Sequence, residues 1–217
     1  MLNLEMADYF KPLSRFFAVM AILFLAIGFM GAWSFGFSAL SAFVGLPLLA
    51  LVLIAGSILY FVRGMKVARQ SADSTKRLIT LVAAPALFAA MALLALPFVR
   101  TGNYLGDFSL LMVNWDRYEA IVADIRANPR AAAFEVDGDI TYSVDLGPPV
   151  RVAFNPEGLL DNWSGIIYDP TGDVLLADGF DPKTGKFVAP NRVTKLFQGD
   201  LVRCRSLWGD YYTCSFT

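Results

Sequence analysis

The stretch FVGLPLLALVLIAGSILYFV, residues 43–62, decides the fold because its 20 residues include no Asp, Glu, Lys or Arg. A helix of this length rises about 1.5 Å per residue and spans the roughly 30 Å hydrocarbon core of a bilayer. Two further stretches share this property: FFAVMAILFLAIGFMGAWS, residues 16–34, and LITLVAAPALFAAMALLALPFV, residues 78–99. Buried helices of soluble proteins do not need apolar runs of this length, so the sequence predicts three transmembrane helices.

The two halves of the chain differ in charge. Residues 1–100 hold eight basic and three acidic residues, whereas residues 101–217 hold ten basic and sixteen acidic residues. This split predicts a membrane anchor over residues 1–100, followed by a separate acidic domain over residues 101–217. The whole chain has a net charge of −1, which excludes a general nucleic-acid binder.

The segment between the second and third apolar runs fixes the expected orientation. It carries five basic residues, Arg63, Lys66, Arg69, Lys76 and Arg77, whereas residues 35–42, between the first two runs, carry none. Basic residues are retained on the cytoplasmic side. We therefore expect an integral protein of a bacterial inner membrane, with a cytoplasmic N-terminus and a periplasmic domain over residues 101–217. Cleavage of the first run as a signal peptide is an alternative, and it leaves that domain on the same side.

The acidic domain is predicted to be α+β, with one amphipathic helix and a mainly antiparallel β-sheet. The helix falls over residues 114–129, because Tyr118, Ile121, Val122 and Ile125 recur at helical spacing and Pro129 ends the pattern. Alternating and apolar segments then predict the strands AAFEV, ITYSVD, PVRVAF, GIIYD and DVLLAD, followed by a final hairpin over residues 200–217.

The alternation of apolar residues also predicts the register of two hairpins. Phe134 and Val136 share a buried face with Ile140 only if the loop between them has three residues, 137–139. The same argument assigns Trp208, Gly209 and Asp210 to the loop of the final hairpin, which places Cys204 opposite Cys214.

Cys204 and Cys214 are the only two cysteines in the chain. A periplasmic domain is exposed to oxidation, so we expect a structural disulfide between them, stabilising the fold by roughly 3 kcal/mol in the chain-entropy model. A buried reduced pair is the alternative. A redox-active pair is disfavoured because no C-x-x-C spacing lowers a thiol pKa.

The sequence offers no recognisable catalytic or metal site. The chain lacks histidine, which excludes histidine-dependent catalysis and histidine-ligated metals. It also lacks a nucleophile elbow and a phosphate-binding glycine loop. We therefore expect no cofactor and no enzyme activity. The Asn162-Trp163-Ser164 sequon matters only in a glycosylating source.

These patterns favour a membrane-anchored binding protein whose acidic domain engages a protein partner outside the cytoplasm. The partner is expected to be basic, because charge steers association, and it would be a subunit of an envelope complex or a toxin to be neutralised. The alternative is a ligand sensor signalling across the membrane, which requires a concave apolar pocket. A histidine-free carboxylate enzyme requires two carboxyls in one cleft, one of them with a raised pKa.

Overall fold

The structure is a computed structural model that describes residues 2–130, 132–159 and 161–217. The chain forms two compact units, Met1–Gly106 and Asp107–Thr217. The first, the helical unit, consists of long helices, and the second, the head, is an antiparallel sheet with one main helix. A helical membrane anchor followed by an α+β domain is thus the observed fold class.

Three long helices dominate the helical unit. The elements in order are α1 (Leu2–Trp33), α2 (Phe35–Leu40), a π-helical turn (Ser41–Gly45), α3 (Leu46–Gln70) and α4 (Ser74–Val113). The helical segments Ala7–Trp33, Phe35–Gln70 and Ser74–Val113 are long and apolar enough to cross a membrane, with mean hydropathies of 2.3, 2.5 and 2.4 in their apolar windows. They extend beyond the predicted spans 16–34, 43–62 and 78–99, because their polar ends continue the same helices.

Small residues let α1 and α4 approach each other closely. A Cβ atom at Gly28 would overlap the carbonyl oxygen of Val99, and one at Gly102 would overlap the carbonyl oxygen of Leu25. Small residues at four-residue spacing allow this kind of backbone contact between membrane helices. Five large side chains on one face of α1 are also buried, in the hydrophobic core of the helical unit: Tyr9, Leu13, Phe17, Met20 and Phe24.

The head contains a seven-stranded antiparallel sheet. Its strands are β1 (Ala132–Asp137), β2 (Ile140–Asp145), β3 (Arg151–Leu159), β4 (Asn162–Tyr168), β7 (Lys195–Leu196), β8 (Gly199–Trp208) and β9 (Tyr211–Phe216). Their order in the sheet is β1-β2-β3-β4-β9-β8-β7. Between β4 and β7 the chain forms a 3-10 helix (Asp173–Leu176), a small hairpin of β5 (Phe180–Asp181) and β6 (Lys186–Phe187), and α6 (Asn191–Thr194). The predicted strand DVLLAD is therefore wrong. Its first four residues are helical, and the carboxylate of Asp169 accepts a hydrogen bond from the backbone N–H of Val174 there, at 3.1 Å.

Helix α5 (Trp115–Ala127) covers one face of the sheet, and its predicted apolar positions Tyr118, Ile121, Val122 and Ile125 are all buried. The ring of Tyr118 stacks on that of Phe154 of β3, with ring centroids 4.1 Å apart. The opposite face packs against the segment between β4 and β7, through a cluster that includes Ile167, Val174 and Val193. The sheet is therefore buried on both sides over its central strands.

Candidate interaction surface

The hairpin of β1 and β2 turns in two residues, Gly138 and Asp139, because Asp137 pairs with Ile140. The predicted three-residue loop over residues 137–139 is therefore wrong. Gly138 has a φ of +65°, a conformation that glycine adopts at little cost and that a tight turn uses here. The two-residue turn pairs even with odd positions, so Val136 lies opposite Thr141 rather than Ile140.

This register exposes the apolar side chains of β1. Phe134 is 62% exposed and Val136 is 60% exposed, whereas Ile140 of β2 is 1% exposed. A shift of one residue moves a strand's side chains to the other face, which is why the predicted burial of Val136 fails. Phe134 lies in the irregularity between Ala132 and Glu135, where its predicted burial is also wrong. Of the strands in the described residues, β1 ends the order of the sheet, and only β2 pairs with it. We call the free edge of β1, with Phe134 and Val136, the β1 edge.

Ion pairs surround the β1 edge. Arg130 contacts the carboxylates of Asp124 at 2.9 Å and Glu135 at 3.3 Å. The hydroxyl of Tyr142 also donates to Glu135. At the hairpin tip, Arg117 donates to the Asp139 carboxylate at 2.5 Å and to the backbone carbonyl of Asp137 at 2.6 Å. These contacts hold the polar side chains of the hairpin in place.

The same contacts keep the carboxyl groups ionised. The hydrogen bond from Tyr142 and the contact with Arg130 lower the pKa of Glu135. The hydrogen bond from Arg130 lowers the pKa of Asp124, and that from Arg117 lowers the pKa of Asp139. A carboxyl that donates a proton in catalysis near neutral pH needs a raised pKa, so these three are unsuited to that role.

An open groove of about 360 Å³ lies between α5 and the β1–β2 hairpin. Its lining includes both apolar and polar side chains, among them Ile121, Asp124, Arg130, Val136 and Tyr142. The groove adjoins the β1 edge through Val136. Its chemistry suits contact with an amphipathic chain segment rather than with a wholly apolar ligand.

The final hairpin also turns in two residues, Gly209 and Asp210, because Trp208 pairs with Tyr211. The predicted loop of Trp208, Gly209 and Asp210 is therefore wrong by one residue. An irregularity between Ser206 and Trp208 absorbs the extra residue as a β-bulge. Cys204 thus still lies opposite Cys214, as the alternation of the two strands predicts.

Cys204 and Cys214 form a disulfide, with their Cα atoms 4.1 Å apart. Cys214 is buried in the cluster on the sheet face away from α5, and Cys204 packs against that cluster. The bond ties β8 to β9 within this core. It lies on other strands than the β1 edge.

The five basic residues predicted to form the cytoplasmic link lie on helices. Arg63, Lys66 and Arg69 belong to α3, and Lys76 and Arg77 belong to the first turn of α4. The connection between these helices is only three residues long, 71–73. Lys76 lies 3.9 Å from the carboxylate of Asp73.

The sequence patterns did not predict one buried ion pair in the head. The Nε of Arg151 donates to the Asp169 carboxylate at 3.1 Å, and both side chains are almost fully buried. Asp169 also accepts from the backbone N–H groups of Thr171 and Val174. The burial of Arg151 was predictable from the sequence, because Arg151 lies two residues before Ala153 in β3 and therefore shares its buried face.

Comparisons with known proteins do not identify a relative: no family model, no curated protein and no solved structure matches this chain. Within residues 2–130, 132–159 and 161–217, no three acidic or cysteine side chains come together as a metal site. The β1 edge and its ion pairs are therefore the candidate on which a functional proposal can be built.

Proposed function

We propose that this chain is a membrane-anchored, non-enzymatic binding protein whose head engages a protein partner through the β1 edge. The observation that carries the proposal is the exposure of Phe134 and Val136 on a terminal strand. A terminal strand presents unpaired backbone N–H and C=O groups, and proteins usually protect such edges with charge, proline or a covering segment. Glu135 and Arg130 place charge beside this edge, but the strand also presents two large apolar side chains, Phe134 and Val136, to solvent.

An extended segment of the partner is the occupant that fits this edge. Such a segment would add an eighth strand to the sheet by backbone hydrogen bonds, and its alternate side chains would contact Phe134 and Val136. The exposed carboxylate of Asp137 lies at the tip of the same hairpin, next to Asp139, which pairs with Arg117. Together with the excess of acidic over basic residues in residues 101–217, this carboxylate favours a segment that carries basic residues.

The proposed setting is a bacterial inner membrane, with the N-terminus in the cytoplasm and the head in the periplasm. The basic residues at the junction of α3 and α4 favour this orientation by the positive-inside rule. The disulfide of Cys204 and Cys214 agrees with an oxidising compartment. The partner would then be a subunit of an envelope complex or a toxin that acts at the outer face of the membrane.

Ligand sensing is the second candidate, and the groove beside α5 is the observation that favours it. Its volume of about 360 Å³ is at the small end of the range for drug-sized ligands. Arg130 of the groove already pairs with Asp124 of the groove and with the neighbouring Glu135, which lowers its capacity to bind a charged small molecule. A carboxylate enzyme that uses Asp124 as its acid is disfavoured at this groove, because the pKa of Asp124 is lowered.

A salt-dependent pull-down of the full chain in detergent tests the proposal. The variant F134T/V136T removes the apolar side chains while keeping residues that favour strands. F180T/V188T is a matched control, since Phe180 and Val188 are similarly exposed elsewhere in the head. We expect the wild type and the control to retain a stoichiometric partner that F134T/V136T loses. Equal recovery by all three, or no partner at any salt concentration, would contradict the proposal.

A further inference from the structure

We propose that the basic end of the helical unit binds the phosphate groups of anionic lipids. The basic end is defined as Arg63, Lys66 and Arg69 of α3 with Lys76 and Arg77 of α4. These residues belong to the helical unit and the β1 edge belongs to the head, so the inference is independent of the β1 edge. Clusters of this size beside a transmembrane helix attract anionic headgroups.

The packing of the helices turns the basic side chains of α3 outward. Gly64 and Ala68 are buried, and Gly64 lies where an added Cβ would meet the hydroxyl of Tyr9 of α1 at 2.7 Å. At 3.6 residues per turn, Arg63, Lys66 and Arg69 fall on the side of α3 opposite these two residues. All three side chains are exposed, as this geometry requires.

Contacts among the three helices hold this end together. The hydroxyl of Tyr9 donates to the backbone carbonyl of Thr80 in α4 at 3.4 Å, and the hydroxyl of Tyr60 donates to that of Pro12 at 3.1 Å. The first turns of α4 therefore lie beside α1, and α1 lies beside the last turns of α3. The basic residues of α3 and α4 consequently belong to the same end of the unit.

Lys76 of this end forms an ion pair with Asp73 at 3.9 Å. Among the residues that the structure describes, no carboxylate pairs with Arg63, Lys66, Arg69 or Arg77. These four side chains are exposed, so an external anion can reach them.

The expected depth of these residues in a bilayer favours a lipid phosphate over a soluble phosphate as the ligand. The apolar run ends at Val62, and the helix rises about 9 Å over the six steps from Arg63 to Arg69. The polar layer of each leaflet is roughly 5–8 Å thick. The three side chains of α3 therefore lie at the level of lipid headgroups when α3 crosses a bilayer.

The test uses the full chain in nanodiscs of equal parts phosphatidylcholine and phosphatidylglycerol, with native mass spectrometry of the lipids that remain bound. We expect the wild type to enrich phosphatidylglycerol by about fivefold for each basic residue that contacts a phosphate. The variant R63Q/K66Q/R69Q keeps Lys76 and Arg77, so it is expected to lose most of this enrichment. The matched control K183Q/K186Q/K195Q removes the same charge from exposed positions of the head and is expected to keep it.

Two further arms keep the result interpretable. R63K/R69K retains the charge and is expected to bind phosphatidylglycerol as the wild type does, which separates a loss of charge from a loss of fold. Excess inorganic phosphate is expected to leave the bound lipid in place. Equal enrichment in the wild type and R63Q/K66Q/R69Q, or displacement of the lipid by inorganic phosphate, would overturn the inference.

Discussion

Val136 lies opposite Thr141 across the first hairpin of the head, and this pairing turns the apolar side chains of β1 away from the core. On β2 the two residues that flank Thr141 are buried: Ile140 is 1% exposed and Tyr142 is 5% exposed. One hairpin thus contributes two large side chains to the core and presents two others at the edge of the sheet. Any partner that pairs with β1 would meet Phe134 and Val136.

The exposure of the β1 edge predicts a contrast in stability. We expect F134T/V136T to change the unfolding free energy of the head by less than about 0.5 kcal/mol per site, as is usual for surface positions. Ile140→Thr is expected to cost about 2 kcal/mol or more, because it places a hydroxyl in the core. Urea unfolding of the full chain in detergent, followed by near-ultraviolet circular dichroism, compares the two. A large loss for F134T/V136T would show that these side chains are buried.

The buried pair of Arg151 and Asp169 predicts a strong effect from one substitution. Arg151→Met leaves the carboxylate of Asp169 buried without its cation, which is expected to cost about 3–5 kcal/mol. Arg192→Met removes an arginine that pairs with Asp173 at the surface, and its effect is expected to be much smaller. Urea unfolding measures both. Similar losses for the two variants would contradict the assignment of Arg151 to the core.

The contact of α1 with α4 predicts opposite outcomes for two glycine-to-alanine substitutions. Gly28→Ala would force its Cβ into the carbonyl of Val99, so we expect the helical unit to unfold at a lower temperature. Gly36→Ala meets only the hydroxyl of Ser34, at 3.9 Å, and alanine favours helix over glycine. It is expected to be neutral or slightly stabilising. Thermal unfolding in detergent, followed by far-ultraviolet circular dichroism, distinguishes the two, and equal tolerance would exclude close packing at Gly28.

The polar contacts of Glu135 predict a dependence on pH. Its pKa is lowered in the folded head from a usual value of 4.5, so these contacts stabilise the head above that pH. The stabilisation is lost as the pH falls through the folded-state value. The melting temperature of Glu135→Gln is therefore expected to lie below that of the wild type near neutral pH, with the difference closing in acid. Glu157→Gln, at an exposed position of β3, serves as the control. A difference that widened in acid would contradict the sign of the shift.

Local sequence patterns were enough to predict most of the helices and strands. The spans and α5 follow from apolar length and from helical spacing, which depend on residues close together in sequence. The burial of Tyr118 and Ile125, for example, follows from their spacing along α5. The position of Cys204 opposite Cys214 was also predictable, because the alternation of the two strands is strong.

The errors arose where the register depends on turns and bulges. Alternation implied that Phe134 and Val136 face the core. It could not reveal that a two-residue turn at Gly138 displaces residues 135–137 by one position, or that an irregularity between Ala132 and Glu135, which contains Phe134, follows before the predicted register returns at Ala132. The final hairpin contains the same kind of turn, and there a bulge before Trp208 restores the register. The pairing of Arg151 with Asp169 was missed because the two residues are 18 positions apart and meet only in the folded sheet.

The location of the head outside the cytoplasm is the central claim, and thiol labelling in intact cells tests it most directly. Cells that express the full chain are treated with a membrane-impermeant maleimide, before and after an impermeant reductant. The account predicts that Cys204 and Cys214 are labelled only after reduction, because they form a disulfide on the outer side. Free thiols that become reachable only when the membrane is permeabilised would contradict it.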